Sequence, residues 1–168
     1  SNLWRFLRIR PNNFPTVRLS QFAQLIFKSR KLFSKIIEAE DYDTLNQLFK
    51  VKASSYFDNH FLFDEKVAVS KEKQLGKSAI DLLVINVVVP FLFLYSIEKD
   101  DPLYKNRALK IIENIKPESN STIKKWASLG FKAENSMQSQ ALLELTEKYC
   151  FNKRCLDCVV GVKILNNE

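Results

Sequence analysis

Residues 79–95 read AIDLLVINVVVPFLFLY and form the most apolar run of this 168-residue chain. A helix that spans a membrane needs about 20 predominantly apolar residues, whereas this run is shorter and contains Asp81, Asn86 and Pro90. We therefore interpret it as a central buried helix, kinked or interrupted near Pro90, because proline lacks the amide hydrogen that a helix interior requires. The β-branched VINVVV part is also compatible with a strand.

The sequence before this run favours further helices. Thr16 is suited to cap a helix that reaches about Ser29, and the spacing of its apolar residues predicts a buried face made of Leu19, Phe22, Ala23 and Ile26. Two amphipathic segments follow, and the second of them is expected to begin at Asp41 or Asp43. Residues 64–76 are rich in Lys and Glu and indicate an exposed loop.

The sequence after the apolar run also has helical spacing. Asp101 followed by proline predicts a helix start, and the buried face of that helix is expected to contain Tyr104, Ala108, Ile111 and Ile115. Ser121 and Ser136 are predicted caps of two more helices. Residues 159–165 are compatible with a helix or a strand.

These patterns together predict an all-α fold. We expect a single compact domain of roughly seven helices around the buried apolar helix at residues 79–95. Residues 1–15 are interpreted as a basic entry segment or hinge from a missing upstream domain, because the chain begins with Ser1-Asn2 rather than Met. Residues 16–168 are interpreted as the helical domain, which ends in a cysteine cluster.

Three scattered glycines exclude a phosphate-binding P-loop and a GxGxxG turn, and neither HExxH nor GxSxG is present. We therefore see no self-contained catalytic apparatus in the chain. The three cysteines, an odd number, lie close together, which is unlike a disulfide framework and favours a reducing, cytoplasmic compartment.

The net charge of +7 is concentrated near the N-terminus, since residues 1–37 hold eight of the 26 basic residues and none of the 19 acidic ones. Such a segment attracts nucleic acid, acidic lipid or an acidic protein surface. We expect contacts to nucleic-acid phosphates and no membrane role. The candidate residues are Arg5, Arg8, Arg10, Arg18, Lys124, Lys125, Lys153 and Arg154. Alternatively, the basic segment pairs with an upstream domain or a second subunit, without a nucleic-acid role.

Residues 150–158 read CFNKRCLDC, and the spacing of Cys150, Cys155 and Cys158 is compatible with zinc or an iron–sulfur cluster. A fourth ligand would come from His60, from a carboxylate such as Asp157, from the upstream chain or from a cofactor. The alternatives are three buried thiols without metal, or a redox disulfide between the last two cysteines. His60 itself is also suited to packing among the aromatic residues of 56–63.

Five blocks in this order resemble a known family: RIRPNNFPTVRLSQFAQLI (8–26), ASSYFDNHFLF (53–63), INVVVPFLFLY (85–95), NSTIKKWASLG (120–130) and NSMQSQALLELTEKYCFNKRCLDCVVG (135–161). The chain resembles the C-terminal half of the bacterial domain of unknown function 2851, found especially in Bacteroidetes. The resemblance implies an upstream half with a restriction-endonuclease-like fold and an acidic, metal-binding motif. It also implies that the cysteine cluster is shared within the family.

The block at the N-terminus is a second feature that the resemblance implies to be shared, through Arg10, Pro11, Asn13, Phe14, Pro15, Arg18 and Leu19. We interpret this block as a rigid hinge, because its two prolines and its asparagine favour a fixed turn. With catalysis outside this chain, the helical part is expected to be an accessory domain that binds nucleic acid.

Overall fold

The structure is a computed structural model that describes residues 10–166. It is mainly α-helical, which confirms the predicted fold class. Its eight helices in the described residues are α1 (Pro15–Ser29), α2 (Leu32–Glu38), α3 (Tyr42–Phe49), α4 (Lys77–Lys99), α5 (Pro102–Glu113), α6 (Ser121–Ser128), α7 (Ser136–Leu145) and α8 (Val159–Leu165). A small antiparallel hairpin joins β1 (His60–Leu62) to β2 (Glu65–Lys66).

The chain forms two compact units that divide between Leu92 and Phe93, within α4. The first unit contains α1 to α3, the hairpin and the N-terminal part of α4. One buried cluster in this unit joins Val17 of α1 to Ala53 and Phe57, with Phe14 and Phe61 packed against it. The aromatic stretch that follows α3 therefore anchors the start of α1.

Most of the predicted helices are capped at the N-terminus by an asparagine or aspartate side chain. Asp41 accepts a hydrogen bond from the Thr44 amide, and Asp101 caps α5 in the same way. The caps of α6 and α7 are Asn120 and Asn135, each one residue before the predicted serine. Thr16 is not a cap, because α1 begins at Pro15 and the Thr16 hydroxyl donates to the Phe61 carbonyl instead.

The orientation of α1 is opposite to the one predicted. Its buried side is formed by Val17, Gln21, Leu25 and Ser29, while its expected buried face lies in solvent. The residues of that exposed face are Leu19, Phe22, Ala23 and Ile26. The apolar spacing was a correct sign of an amphipathic helix, but the apolar side does not face the core of this chain.

The apolar run lies within one long helix, α4, so the strand interpretation is wrong. The helix continues through Pro90, so it is not interrupted there; it is distorted just before the proline, where Val84–Val88 winds as a π-helix and the Val89 amide donates to the carbonyl of Val84, five residues earlier. Its buried residues include Ile80, Val84, Ile85, Val88, Val89 and Leu92.

By length and composition, α4 is also apolar enough to cross a membrane. A single helix of this kind is weak support for a membrane span, because the core helix of a soluble protein passes the same test.

The predicted exposed loop at residues 64–76 is only partly exposed. Lys73 and Leu75 are buried, and the chain there runs alongside the segment that follows α3. The Ala53 amide donates to the Lys73 carbonyl and the Leu75 amide donates to the Val51 carbonyl, each at 2.9 Å. These long-range backbone hydrogen bonds hold the Lys-rich stretch against the rest of the first unit.

In the second unit, α5 and α7 pack against each other. Ala108, Ile111 and Ile115 of the predicted face of α5 and its following turn are buried, as expected. The fully buried Ser136 donates its hydroxyl to the Lys116 carbonyl at 2.5 Å, while its amide donates to the Ile115 carbonyl at 2.8 Å. These bonds fix the start of α7 against the end of α5.

Two leucines of the first unit test the orientation of α1. Leu45 is 0% exposed and Leu19 is 50% exposed. We expect Leu45→Ala to lower the free energy of unfolding by about 2–5 kcal/mol, because it leaves a cavity. Leu19→Ala should change it by no more than about 0.5 kcal/mol. Urea unfolding followed by circular dichroism measures both, and equal losses would contradict the outward orientation of the Leu19 face.

Candidate functional site

A cavity of about 710 Å³ lies in the first unit. One wall is the turn before α1 and the α1 side chains of Arg18 and Gln21; the others are the segment around Lys73 and the first turn of α4. Four cationic side chains line the cavity: Arg18, Lys71, Lys73 and Lys77. Glu72 is the one acid in the lining, and it is already ion-paired with Lys52 at 2.5 Å. The cavity is therefore strongly basic.

Arg18 is partly buried in this wall, and its hydrogen-bond partners in the described part of the chain are neutral amides. Its Nη2 donates to Asn13 Oδ1 at 2.6 Å and its Nη1 donates to Gln21 Oε1 at 3.0 Å. Burial lowers the pKa of the Arg18 guanidinium, because removing water disfavours the charged form. No carboxylate within the described residues forms an ion pair with Arg18. A desolvated cation of this kind is normally stabilised by an anion.

Lys73 is the second desolvated cation, with only 6% of its surface exposed. Its Nζ donates to the carbonyls of Phe57 and Asp58 and lies 4.2 Å from the centre of the Phe61 ring. Burial lowers the pKa of Lys73, and the charge of Asp58 opposes that change. Lysine is rarely buried without a specific partner. Here the two carbonyls are those partners, and they hold the Lys73 ammonium in a fixed position.

Lys77 belongs to a hydrogen-bonded network at the other wall. Its Nζ donates to the Tyr42 hydroxyl at 2.7 Å and to Asp81 Oδ1 at 3.2 Å, while the Tyr42 hydroxyl donates to Asp81. The hydrogen bond to Tyr42 raises the pKa of Lys77, so the ammonium is kept charged. Burial and the bond to Asp81 raise the pKa of Tyr42. This network holds Lys77 in place at the edge of the cavity.

The arrangement is suited to binding an oxyanion rather than to acid–base catalysis. Guanidinium and ammonium groups are the side chains that bind phosphate and carboxylate, and the Arg18 guanidinium has further N–H groups beyond the two that donate to Asn13 and Gln21. Asn12, Asn13 and Ser78 add neutral polar groups to the lining. The cavity is therefore a candidate anion-binding site.

Of the predicted nucleic-acid residues, Arg18 is the one that lines this cavity. Arg10 is exposed at the preceding turn, and Arg5 and Arg8 lie outside the described residues. In the second unit, Lys124, Lys125 and Lys153 are exposed. Arg154 is also exposed, but its Nε donates to Asp157 Oδ2 at 3.0 Å.

Sequence reasoning missed Lys71, Lys73 and Lys77, because the first two were assigned to an exposed loop. One sequence signal was present: Lys71, Lys73 and Leu75 alternate with other residues, and residues two apart share a face of extended chain. The block around Arg10 and Arg18 was interpreted as a hinge, yet its Asn13 and Arg18 side chains form a wall of the cavity.

The three cysteines are free thiols that line a second cavity, of about 380 Å³, in the second unit. Cys158 is buried, whereas Cys150 and Cys155 are exposed. The lining is largely aromatic and aliphatic and includes Trp126, Phe131, Tyr149 and Ile164. Within residues 10–166, no group of three or more His, Cys, Asp or Glu side chains is arranged to hold a metal ion. Metal binding by the cysteines stays a prediction.

His60 is buried in the first unit, where it packs locally. Its Nδ1 is 2.7 Å from the Tyr56 carbonyl oxygen, and its ring stacks on the Tyr56 ring with centroids 4.1 Å apart. This is the aromatic packing that the sequence offered as the alternative to a metal ligand.

Comparison with known families gives a match to a family described as "Protein of unknown function (DUF2851)", which covers residues 1–121. The matched residues include the block around Arg18, the aromatic stretch at 53–63 and the apolar run. The cysteine cluster lies beyond them. Neither the search of curated proteins nor the search of solved structures gave a significant match.

The first test of the basic cavity is the effect of phosphate on thermal unfolding. An anion that binds only the folded state at about 20 times its Kd adds about 1.8 kcal/mol of stability, which corresponds to a Tm increase of roughly 3–7 °C for a chain of this size. We expect this increase relative to chloride at equal ionic strength. Arg18→Gln should lose most of it, whereas Lys28→Gln, which removes an exposed charge from the same helix, should retain it. Equal increases in both variants would contradict the assignment.

The thiols provide a test of the cysteine cavity. In metal-free protein we expect two fast reactions with a disulfide reagent, at Cys150 and Cys155, and one slow reaction at the buried Cys158. Elemental analysis of anaerobically purified protein measures the metal content, and the time course of the thiol reaction measures how many cysteines react fast. Stoichiometric zinc or iron with all three thiols protected would identify a metal site. Three equally fast thiols in metal-free protein would contradict the burial of Cys158.

Proposed function

The chain belongs to the DUF2851 family of proteins of unknown function, and from this starting point we propose that it is an accessory domain that binds nucleic acid. The basic cavity of the first unit would hold a backbone phosphate. The observation that carries the proposal is Arg18, a partly buried guanidinium in the matched part of the chain whose hydrogen-bond partners within residues 10–166 are two side-chain amides.

A phosphate group suits this cavity for two reasons. The guanidinium of Arg18 presents N–H groups in a planar fork, which matches the oxygens of a phosphate. Lys71 and Lys73 add positive charge around it, whereas the charge of Lys77 is already paired with Asp81. A bound phosphate would replace the solvation that Arg18 has lost.

The other basic residues would contribute to affinity without forming a recess. Arg10 is exposed next to the cavity-lining residues Asn12 and Asn13. Exposed Lys124, Lys125 and Lys153 are candidates for additional phosphate contacts. Arg154 should contribute less, because its guanidinium already has Asp157 as a partner.

An accessory role follows from the chemistry that the chain offers. The cationic lining of the basic cavity is suited to holding a phosphate, and this proposal assigns catalysis to another part of the protein. The family resemblance implies a nuclease-like upstream half, for which this domain would position the substrate. A cytoplasmic location is part of this proposal, because nucleic acid and reduced thiols are both found there.

The proposal predicts salt-dependent binding in which Arg18 contributes more than an exposed cation. Binding of labelled single-stranded and duplex oligonucleotides should weaken with salt, with log K linear in log salt. Arg18→Gln should weaken binding about 10- to 100-fold, because a charge-assisted bond to phosphate is lost. Lys28→Gln should weaken it only about threefold, as expected for one distant charge.

Fluorescence anisotropy over a salt series makes this measurement, and circular dichroism checks that each variant is folded. Equal effects of the two substitutions would show that the cavity is not the phosphate site. No detectable binding to any oligonucleotide at low salt would overturn the proposed function.

A further inference from the structure

Two of the three cysteines lie in one tight turn of the second unit. Cys155 begins the 3₁₀-helical turn Cys155–Asp157, and the Cys158 amide donates to the Cys155 carbonyl at 3.3 Å. In a turn closed by such a bond, Cα atoms three residues apart are less than about 7 Å from each other. A disulfide needs Cα atoms about 4.4–6.8 Å apart, so this turn gives the two cysteines the separation that a bridge needs.

The two thiols face the same cavity but differ in their access to solvent. Cys155 and Cys158 both line the cavity of about 380 Å³. Cys155 is exposed, whereas Cys158 is buried with 7% of its surface exposed. A dissolved reagent therefore reaches Cys155 directly and is kept from Cys158. This difference suits a two-thiol exchange, in which an accessible sulfur reacts first and a second sulfur displaces the adduct.

The turn that carries the pair is held by its neighbours. Arg154 Nε donates to Asp157 Oδ2 at 3.0 Å across the turn. Gly161 of α8 lies so close to the Cys155 backbone that a Cβ atom there would clash with the Cys155 carbonyl. Main-chain packing therefore keeps the Cys155 end of the turn against α8, at whose start Cys158 lies.

We propose that Cys155 and Cys158 are a dithiol pair that exchanges with small disulfides of the glutathione type. The proposal needs only two of the three thiols. Within residues 10–166, no group of three or more His, Cys, Asp or Glu side chains is arranged to hold a metal ion. The turn geometry, the shared cavity and the difference in exposure all concern the same two sulfurs.

The exchange takes place in two steps. The Cys155 sulfur, as thiolate, attacks one sulfur of glutathione disulfide; a mixed disulfide forms, the glutathione S–S bond breaks and one glutathione thiolate leaves. The Cys158 thiol then gives its proton to water and its sulfur attacks Cys155 Sγ, which releases the second glutathione. Two protein thiols are oxidised to one disulfide, and one small disulfide is reduced to two thiols. Cys158 thus reacts only after Cys155.

Cys150 provides a comparison within the same cavity. It is also exposed and also lines the cavity, so the same reagent reaches it. It lies in the π-helical turn Thr146–Cys150, and its carbonyl accepts from the Lys153 amide at 3.1 Å, so its own turn closes before Cys155 is reached. We therefore expect Cys150 to keep the glutathione that it takes up.

The dithiol pair is independent of the proposed phosphate site. The pair lies in the second unit, whereas the basic cavity lies in the first. Disulfides in a reducing compartment are mostly transient and often redox-sensing, so the bridge would form when glutathione disulfide rises and would be reversed by reduced glutathione. The test below contains no nucleic acid, so its failure leaves the proposed function undecided by it.

The experiment incubates the reduced, metal-free 168-residue chain with excess glutathione disulfide, alkylates the remaining thiols and maps the products by mass spectrometry. Trypsin cleaves after Lys153 and Arg154, so Cys150 lies on one peptide while Cys155 and Cys158 share another. We expect the shared peptide to lose two hydrogens and to carry neither glutathione nor the alkyl group. The Cys150 peptide should gain one glutathione.

Two variants separate the steps of the exchange. Cys158→Ser should trap glutathione on Cys155, and this mixed disulfide should persist at least about tenfold longer than in the parent chain, because the intramolecular attack is lost. Cys158→Ala should behave in the same way. Cys150→Ser is the matched control, in which the bridge should form within about twofold of the parent rate. Circular dichroism checks that each variant is folded.

Several results would overturn this inference. Glutathione that stays on Cys155 in the parent chain would show that Cys158 does not displace it. A disulfide that joins the Cys150 peptide to the shared peptide as the main product would assign the exchange to another pair. A shared peptide that remains fully reduced in excess glutathione disulfide would exclude the exchange, as would stoichiometric metal that protects all three thiols in the purified protein.

Discussion

The rotation of α1 about its own axis depends on one buried amide side chain. Gln21 is almost fully buried, its Nε2 donates to the Lys73 carbonyl at 3.0 Å, and its Oε1 accepts from Arg18. A buried amide without partners is costly, so these hydrogen bonds are satisfied only when Gln21 points into the first unit. This orientation turns Arg18 toward the basic cavity and turns Leu19, Phe22 and Ile26 toward solvent.

The same hydrogen bond connects two distant parts of the sequence. The Lys73 carbonyl accepts hydrogen bonds from both Gln21 Nε2 and the Ala53 amide, so α1, the segment after α3 and the wall around Lys73 meet at one residue. Two surfaces of different chemistry therefore lie on opposite sides of one helix. One side faces the basic cavity with its buried and partly buried cations, and the other side exposes aromatic and aliphatic side chains.

Local features of the sequence predicted the helices well, because their causes are local. The caps at Asp41 and Asp101 and the buried face around Ile111 each depend on residues a few positions apart. The outward face of α1 was not predictable in this way, since apolar spacing shows that a helix has two sides but not which side meets the core. The burial of Lys73 depends on the carbonyls of Phe57 and Asp58, which no local pattern reveals.

The π-helical turn in α4 has a consequence for comparing sequences within the family. A bond from the Val89 amide to the Val84 carbonyl places five residues where an ordinary α-helical turn is closed by four, so the segment is equivalent to a one-residue insertion. The wider turn keeps Val89 and Leu92 on the buried side that Ile80 and Val84 began. A relative with an unbroken α-helix here would keep that alignment of faces only with a single-residue gap in this segment.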